Sequence, residues 1–170
     1  MSDAIVYDGA RCWCSVTRLL LSRASWAAVQ VDEQARLVAA VLGSVPDTMP
    51  QTAQSGEYLG NFMATKQLVA AAELVGDCLG VVNAANNQTE KAISRKRMHA
   101  ATVRYARALD SREHVTQQRW VKAHQFQSLE KLTKDERQRQ LAQMSPQQRR
   151  DVMGNHFADR LAVRARERGA

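Results

Sequence analysis

No stretch of this sequence approaches the roughly 20 consecutive apolar residues that a membrane-spanning helix requires. No secretory leader is expected either, since the opening MSDAIVYDGA carries an acid where a basic n-region would stand. The expectation is a soluble, intracellular chain with no membrane partner, nucleus or cytoplasm being left open. Cysteine is scarce and odd in number; Cys12, Cys14 and Cys78 do not make a disulfide framework. The Cys12-Trp13-Cys14 pair has one residue between its thiols, too few for a zinc knuckle, and reads as ordinary reduced thiols. No internal repeat is visible. What is present is 170 residues, enough for one domain, 1–170, with a core of its own.

The formal net charge of +7 favours a polyanionic partner. The basic excess is concentrated after residue 90, in KAISRKRMHAATVRYAR and KLTKDERQRQLAQMSPQQRR.

Short apolar runs rich in strand formers come first: AIVYD (4–8), SWAAVQV (25–31) and RLVAAVL (36–42), the last two close enough for a hairpin. The proline-bearing GSVPDTMPQTAQSG (43–56) reads as a loop. From Ser55 the period turns helical, with Leu59, Phe62, Met63 and Ala70 on one stripe. ELVGD (73–77) is a short fourth strand, and LGVVNAAN a short helix after it. A long helix is expected over 90–109, with Met98, Ala101, Tyr105 and Leu109 as its core stripe. Lys96, Arg97, Arg104 and Arg107 fall on its opposite arc, which is either a solvated face or a grip for phosphates. QQRWVKAH (117–124) reads as a fifth strand. A polar segment, 125–151, follows, with helix starts at Thr133 and at Ser145-Pro146. A last helix begins at GNHFADRLA (154–162), with Phe157, Leu161 and Ala165 stacked along it. The order β-β-β-α-β-α-α-β-α implies an α/β class with a mixed sheet.

The acids then fall in a pattern. Asp8 ends the first strand, Glu57 opens the first long helix, Asp77 ends the fourth strand, and Asp159 lies in the first turns of the last helix. Taken alone, Asp159 merely offsets a helix dipole. Acids at strand ends and helix starts can converge on one edge of a sheet, where ligands of open α/β sheets bind. Four clustered carboxylates repel unless cations neutralise them, and hard divalent ions with oxygen ligands suit that task.

With these residues in place, the chain resembles the ribonuclease H domain, particularly the version carried by non-LTR (LINE-type) retroelement polyproteins. VYDGA resembles the family's first-strand motif, with Ala10 where Ser usually stands. QTAQSGEYLG (51–60) is similar to the segment leading to the family's glutamate, and LVGDCLGVV to the turn bearing its second aspartate. RWVKAHQ resembles the fifth strand with its following histidine, and GNHFADRLA the closing helix. The resemblance implies a five-stranded mixed sheet, strands 1–3 antiparallel, flanked by helices, with a helical insertion before the last one. It also implies hydrolysis of the RNA strand of an RNA–DNA hybrid by two Mg²⁺ ions, or Mn²⁺, within a larger reverse transcriptase polyprotein. Carried over by motif, Asp8 would bridge both ions, Asp159 would complete the water-activating site, and Glu57 and Asp77 would hold the ion beside the leaving group. His124 would move a proton or aid product release. RNA is told from DNA by its 2′-hydroxyl; Gln54, Asn61, Asn83 and Asn86 flank the acids and are candidates for that contact.

Two departures stand out: the long 125–151 segment between His124 and Asp159, and the little room at 86–90 for a basic handle. The segment reads either as a passive surface excursion or as a mobile basic flap. An integrase or transposase core is the rival of the same fold, and Glu57 and His124 count against it. A degenerate domain that binds nucleic acid without cutting is the rival of a different class.

Overall fold

The computed structural model describes residues 4–10, 23–86, 93–94, 97–110 and 114–168; within 4–10 only the Val6 side chain is described, and those of Asp110 and Arg168 are not. The elements run β1 (Ala4–Ala10), β2 (Ser25–Val31), β3 (Leu37–Ser44), α1 (Ala53–Gln67), β4 (Ala72–Gly76), α2 (Leu79–Asn86), α3 (Ala100–Asp110), β5 (Val115–Trp120), α4 (Gln125–Glu130), α5 (Lys134–Gln143) and α6 (Pro146–Arg168). One mixed sheet has the order β3-β2-β1-β4-β5. Strands β1, β2 and β3 pair antiparallel, whereas β1–β4 and β4–β5 are parallel. The mixed α/β arrangement with flanking helices is the one the sequence implies.

Strand alternation divides the core between two faces. Val6, Val29, Val31, Val75 and Val121 pack under α6 through Ala158, Phe157 and Leu161. On the other face Ala28, Ala72 and Leu74 meet Ala64 of α1, Leu68 just past its end and Val81 of α2. The polar DEQA segment is the β2–β3 turn: the Asp32 carboxylate accepts from the Gln34 and Arg36 backbone N–H groups, and Ala35 takes φ 61°.

Helix boundaries and faces depart from expectation in four places. Helix α1 starts earlier, at Ala53, because Thr52 caps it by accepting from the Ser55 N–H at 3.1 Å. Its buried face is Ser55, Gly56, Glu57, Gly60, Asn61, Ala64 and Thr65, with Leu59, Phe62 and Met63 at the flanks; Ala70 lies past its end. In α3 and the turn before it (97–99) the expected stripe is turned outward. Met98 and Tyr105 are 69% and 66% exposed, while His99, Ala100, Val103 and Ala106 are buried. Small residues let α3 approach α1 closely, and the bulkier side chains are left outside. The helix expected from residue 90 starts only at Ala100, after a turn at 97–99; 90–92 and 95–96 lie outside the described residues.

The last helix starts at Pro146, not near Gly154. Ser145 and Gln148 cap each other reciprocally, Gln148 N–H to Ser145 Oγ at 3.2 Å and Ser145 N–H to Gln148 Oε1 at 3.0 Å. Asp159 therefore stands in the middle of a 23-residue helix, away from its dipole end. The 125–145 segment is a packed helical hairpin, α4 and α5. Its own small core of Phe126, Leu129, Leu132, Leu141 and Met144 closes on Val152 and Met153 of α6.

Candidate active site

The parallel pairing of β1 with β4 stops at the end of β4, while β1 runs on beside β2 to Ala10. Tyr7 of β1 lies opposite Gly76 of β4, so Asp8 and Asp77 are the next positions on adjoining strands. Gly76 is in turn opposite Trp120 of β5. Val121 N–H donates to Gly76 O at 3.0 Å, and the Trp120 indole N–H donates to Asp77 O at 2.8 Å. Beyond this pinned edge the chain turns at His124, exposed and left-handed (φ 55°, ψ 26°), into α4.

Helix α6 delivers the second acid. A Cβ at Gly154 would run into a methyl of Val6, so glycine lets the helix lie directly on β1. One turn on, Ala158 and then Ala162 continue the sheet-facing stripe, both fully buried. Asn155 and Asp159, four apart, share the adjoining arc.

Asp77 interacts with Asn155, His124 and Asp159. Burial pushes the Asp77 carboxyl above the usual carboxylate range; hydrogen bonding from the Asn155 side chain and the charge of His124 oppose the rise, and the like charge of Asp159 adds to it. The Asn155 side-chain oxygen is buried with no hydrogen-bond partner among the described residues. Glu57 is buried on α1, which packs across β1. The Asp8 side chain lies outside the described residues. Among the described residues no three His, Cys, Asp or Glu side chains stand close enough to hold a metal ion. Asp77, Asp159 and the buried Asn155 oxygen offer oxygen donors only, the kind hard divalent cations take.

The other singled-out residues divide. Gln54 and Asn83 are exposed. Asn61 is buried, its amide donating to Gln118 Oε1 at 2.9 Å, and the Asn86 amide donates to Gln118 O at 2.8 Å. These two tie α1 and α2 to β5. Arg97 and Arg104 are exposed, whereas Arg107 turns inward to donate to Ala84 O at 2.7 Å. Lys96 lies outside the described residues.

Sequence reasoning passed over Asn155 as a site residue, although its i−4 spacing from Asp159 was a readable signal. It also missed Arg119, which donates to Glu73 at 2.8 Å and, through both terminal nitrogens, to Asp151 at 2.8 and 2.7 Å. That link between β4, β5 and α6 joins residues far apart in the chain and leaves no local pattern.

No protein-family model matches the chain, and no curated protein matches it. Solved structures do. The ribonuclease H domain of prototype foamy virus (PFV) is 15% identical with a TM-score of 0.68, covering 98% of this chain and 94% of that one. The native protease–reverse transcriptase of the same virus is 15% identical, TM-score 0.65, over 96% of this chain and 20% of that one. LC11-RNase H1, solved in complex with an RNA/DNA hybrid, is 13% identical, TM-score 0.59, over 99% of both chains. The chain thus has a ribonuclease H-like fold, shared with retroviral and cellular forms.

Proposed function

We propose that the chain is a ribonuclease H-like domain that binds nucleic acid, an RNA–DNA hybrid, across the carboxyl edge of its sheet. The observation that carries this reading is Asp77 at that edge, hydrogen-bonded by Asn155 and within electrostatic reach of His124 and Asp159. The LC11-RNase H1 structure, with a hybrid bound, supports the ligand class. Binding needs no more than this edge and the basic residues beside it. A domain that binds without cutting is therefore the reading that asks least of the site, since among the described residues no third acid joins Asp77 and Asp159.

Hydrolysis of the RNA strand is the second reading, favoured by the repulsion between Asp77 and Asp159 and by the unpartnered Asn155 oxygen. In it, Asp77 and Asp159 would hold Mg²⁺ or Mn²⁺ together with Asp8, the next position in register, and Glu57. Divalent ions held there would supply Lewis-acid chemistry at the phosphate and lower the pKa of a water. His124, exposed at the rim, moves a proton at the departing oxygen. The finer placement, a LINE-type retroelement domain within a larger reverse transcriptase polyprotein, is supported by the Gly154-Asn155…Ala158-Asp159 motif. Likeness over a fifth of the foamy virus chain supports a multidomain setting.

The test has two arms. Affinity for hybrid, DNA duplex and single-stranded RNA is measured in Ca²⁺, then cleavage of labelled hybrid in Mg²⁺ or EDTA, for wild type and Asp8→Asn. Hybrid binding with no cleavage establishes the first reading. Mg²⁺-dependent internal cuts in the RNA strand, abolished by Asp8→Asn, establish the second. Equal affinity for all three nucleic acids, or none for any, rejects the hybrid as ligand.

A further inference from the structure

The 125–145 hairpin begins at His124 and is fastened with unusual thoroughness. Phe126 is buried, and its ring stacks on His156 of α6 with centroids 3.9 Å apart and planes 29° from parallel. The Arg137 guanidinium stands 5.8 Å from the same ring. Arg137 also donates to Leu129 O at 3.0 Å and to Glu130 O and Leu132 O at 3.3 Å, closing the carbonyl end of α4. Arg149 of α6 donates to Leu141 O at 2.9 Å, at the end of α5. Two of the basic residues that a phosphate-gripping flap would use are thus occupied in holding the hairpin together.

His124 needs such support. A left-handed backbone at a residue with a Cβ is strained and persists only where its surroundings fix it. No side-chain hydrogen bond of its own caps α4. It is fixed instead from both sides: by β5, whose continuation at Val121 is held to Gly76, and by Phe126 two residues later. Helix α6 completes the frame. Val152 and His156 face the hairpin, and Asn155 and Asp159 on the adjoining arc face the acid site, so one rigid helix sets both distances.

We propose that the α4–α5 hairpin is a buttress that positions His124 against Asp77 and Asp159, with Phe126 and Arg137 as its positioning residues. The inference deepens the proposed function, resting on the reading of this edge as the functional site.

The experiment follows the His124 imidazole by carbon-edited NMR in the metal-free protein, with Asp77→Asn as the probe of contact. Amide exchange over 125–143 is read alongside. In the wild-type background Asp77→Asn should displace the His124 signals. In Phe126→Ala that response should be lost and the 125–143 amides should exchange faster, while β1, β4 and α1 keep their protection. Phe126→Tyr should restore both, and Arg137→Gln should weaken both. If Phe126→Ala fails to fold, Arg137→Gln, which leaves the apolar core intact, decides alone. A His124 response that survives in a folded variant with an unprotected hairpin overturns the proposal. So does a wild-type His124 indifferent to Asp77→Asn. A wild-type chain that binds no hybrid overturns the proposed function and leaves this NMR result readable.

Discussion

His99 shows how a single side chain outside the acid site sets a property of the whole. It is 7% exposed, stacked on Tyr58 with centroids 4.5 Å apart, and neither ring nitrogen has a hydrogen-bond partner among the described residues. Burial holds its pKa below the ordinary histidine value. On the α1 side the facing group is the Tyr58 hydroxyl, itself pushed up by burial and by Cys78 and pulled down by Arg97. A depressed histidine pKa gives stability that is fully present above the unfolded value of about 6.5 and is lost as pH falls through the folded one. Urea unfolding midpoints should therefore drop between pH 7 and 5. His99→Phe keeps the stack on Tyr58 without the ionisation, and should flatten that acid limb while leaving the midpoint at pH 7.5 within a few tenths molar of wild type. A limb of unchanged steepness would assign the acid loss to other groups.

At the scale of elements, α6 is the part on which the site depends, and two contacts fix where it lies. The first is the close approach of Gly154 to Val6. Gly154→Ala should cost about 1–3 kcal/mol, as overpacking does, despite alanine's better helix propensity; adding Val6→Ala should recover part of the loss. Additive costs in the double variant would mean that the two residues do not meet. The second contact is Arg119 with Glu73 and Asp151. Arg119→Met leaves two carboxylates without their cation and should cost about 2–3 kcal/mol in urea unfolding, below a fully buried pair because Arg119 stays 23% exposed. Asp151→Asn in the same chain should add much less than it does alone. Such contacts explain what was legible in the sequence. Runs of Val and Ala with turn residues between them mark the strands, so β2 coincides with its expected bounds, and the Thr133 and Ser145 caps announce α5 and α6. Helix faces were harder to read. Apolar bulk points to Met98 and Tyr105 in α3, yet closeness to a neighbour selects Ala100, Val103 and Ala106, just as Gly56, Gly60 and Ala64 face inward in α1. Asp77 and Asp159 were found through motif spacing. Asn155 was not, because an amide becomes a site residue only through what stands next to it.

Over the whole molecule the net charge is +7, and the question is which cations a bound polyanion would reach. Arg97 stands close enough to Tyr58, the neighbour of Glu57 on α1, to favour the ionised form of its hydroxyl. Arg104 is exposed farther along α3. A polyanion lying across the carboxyl edge would find these two cations on the α1 side, whereas Arg107 points into the fold at Ala84 O. Each phosphate neutralised by a cation releases condensed counterion, and the logarithm of affinity falls with the logarithm of salt by about 0.9 per contact in duplex. Hybrid affinity should therefore be measured by fluorescence anisotropy in Ca²⁺ from 50 to 200 mM salt. Replacing both Arg97 and Arg104 by alanine should make the slope shallower by roughly 2, and weaken binding most at low salt. Arg107→Ala serves as the contrast: its slope should match wild type even if the protein melts earlier. A double variant with an unchanged slope would place the bound strand away from α3, and the source of the basic excess at the site would then have to be sought on the α6 side.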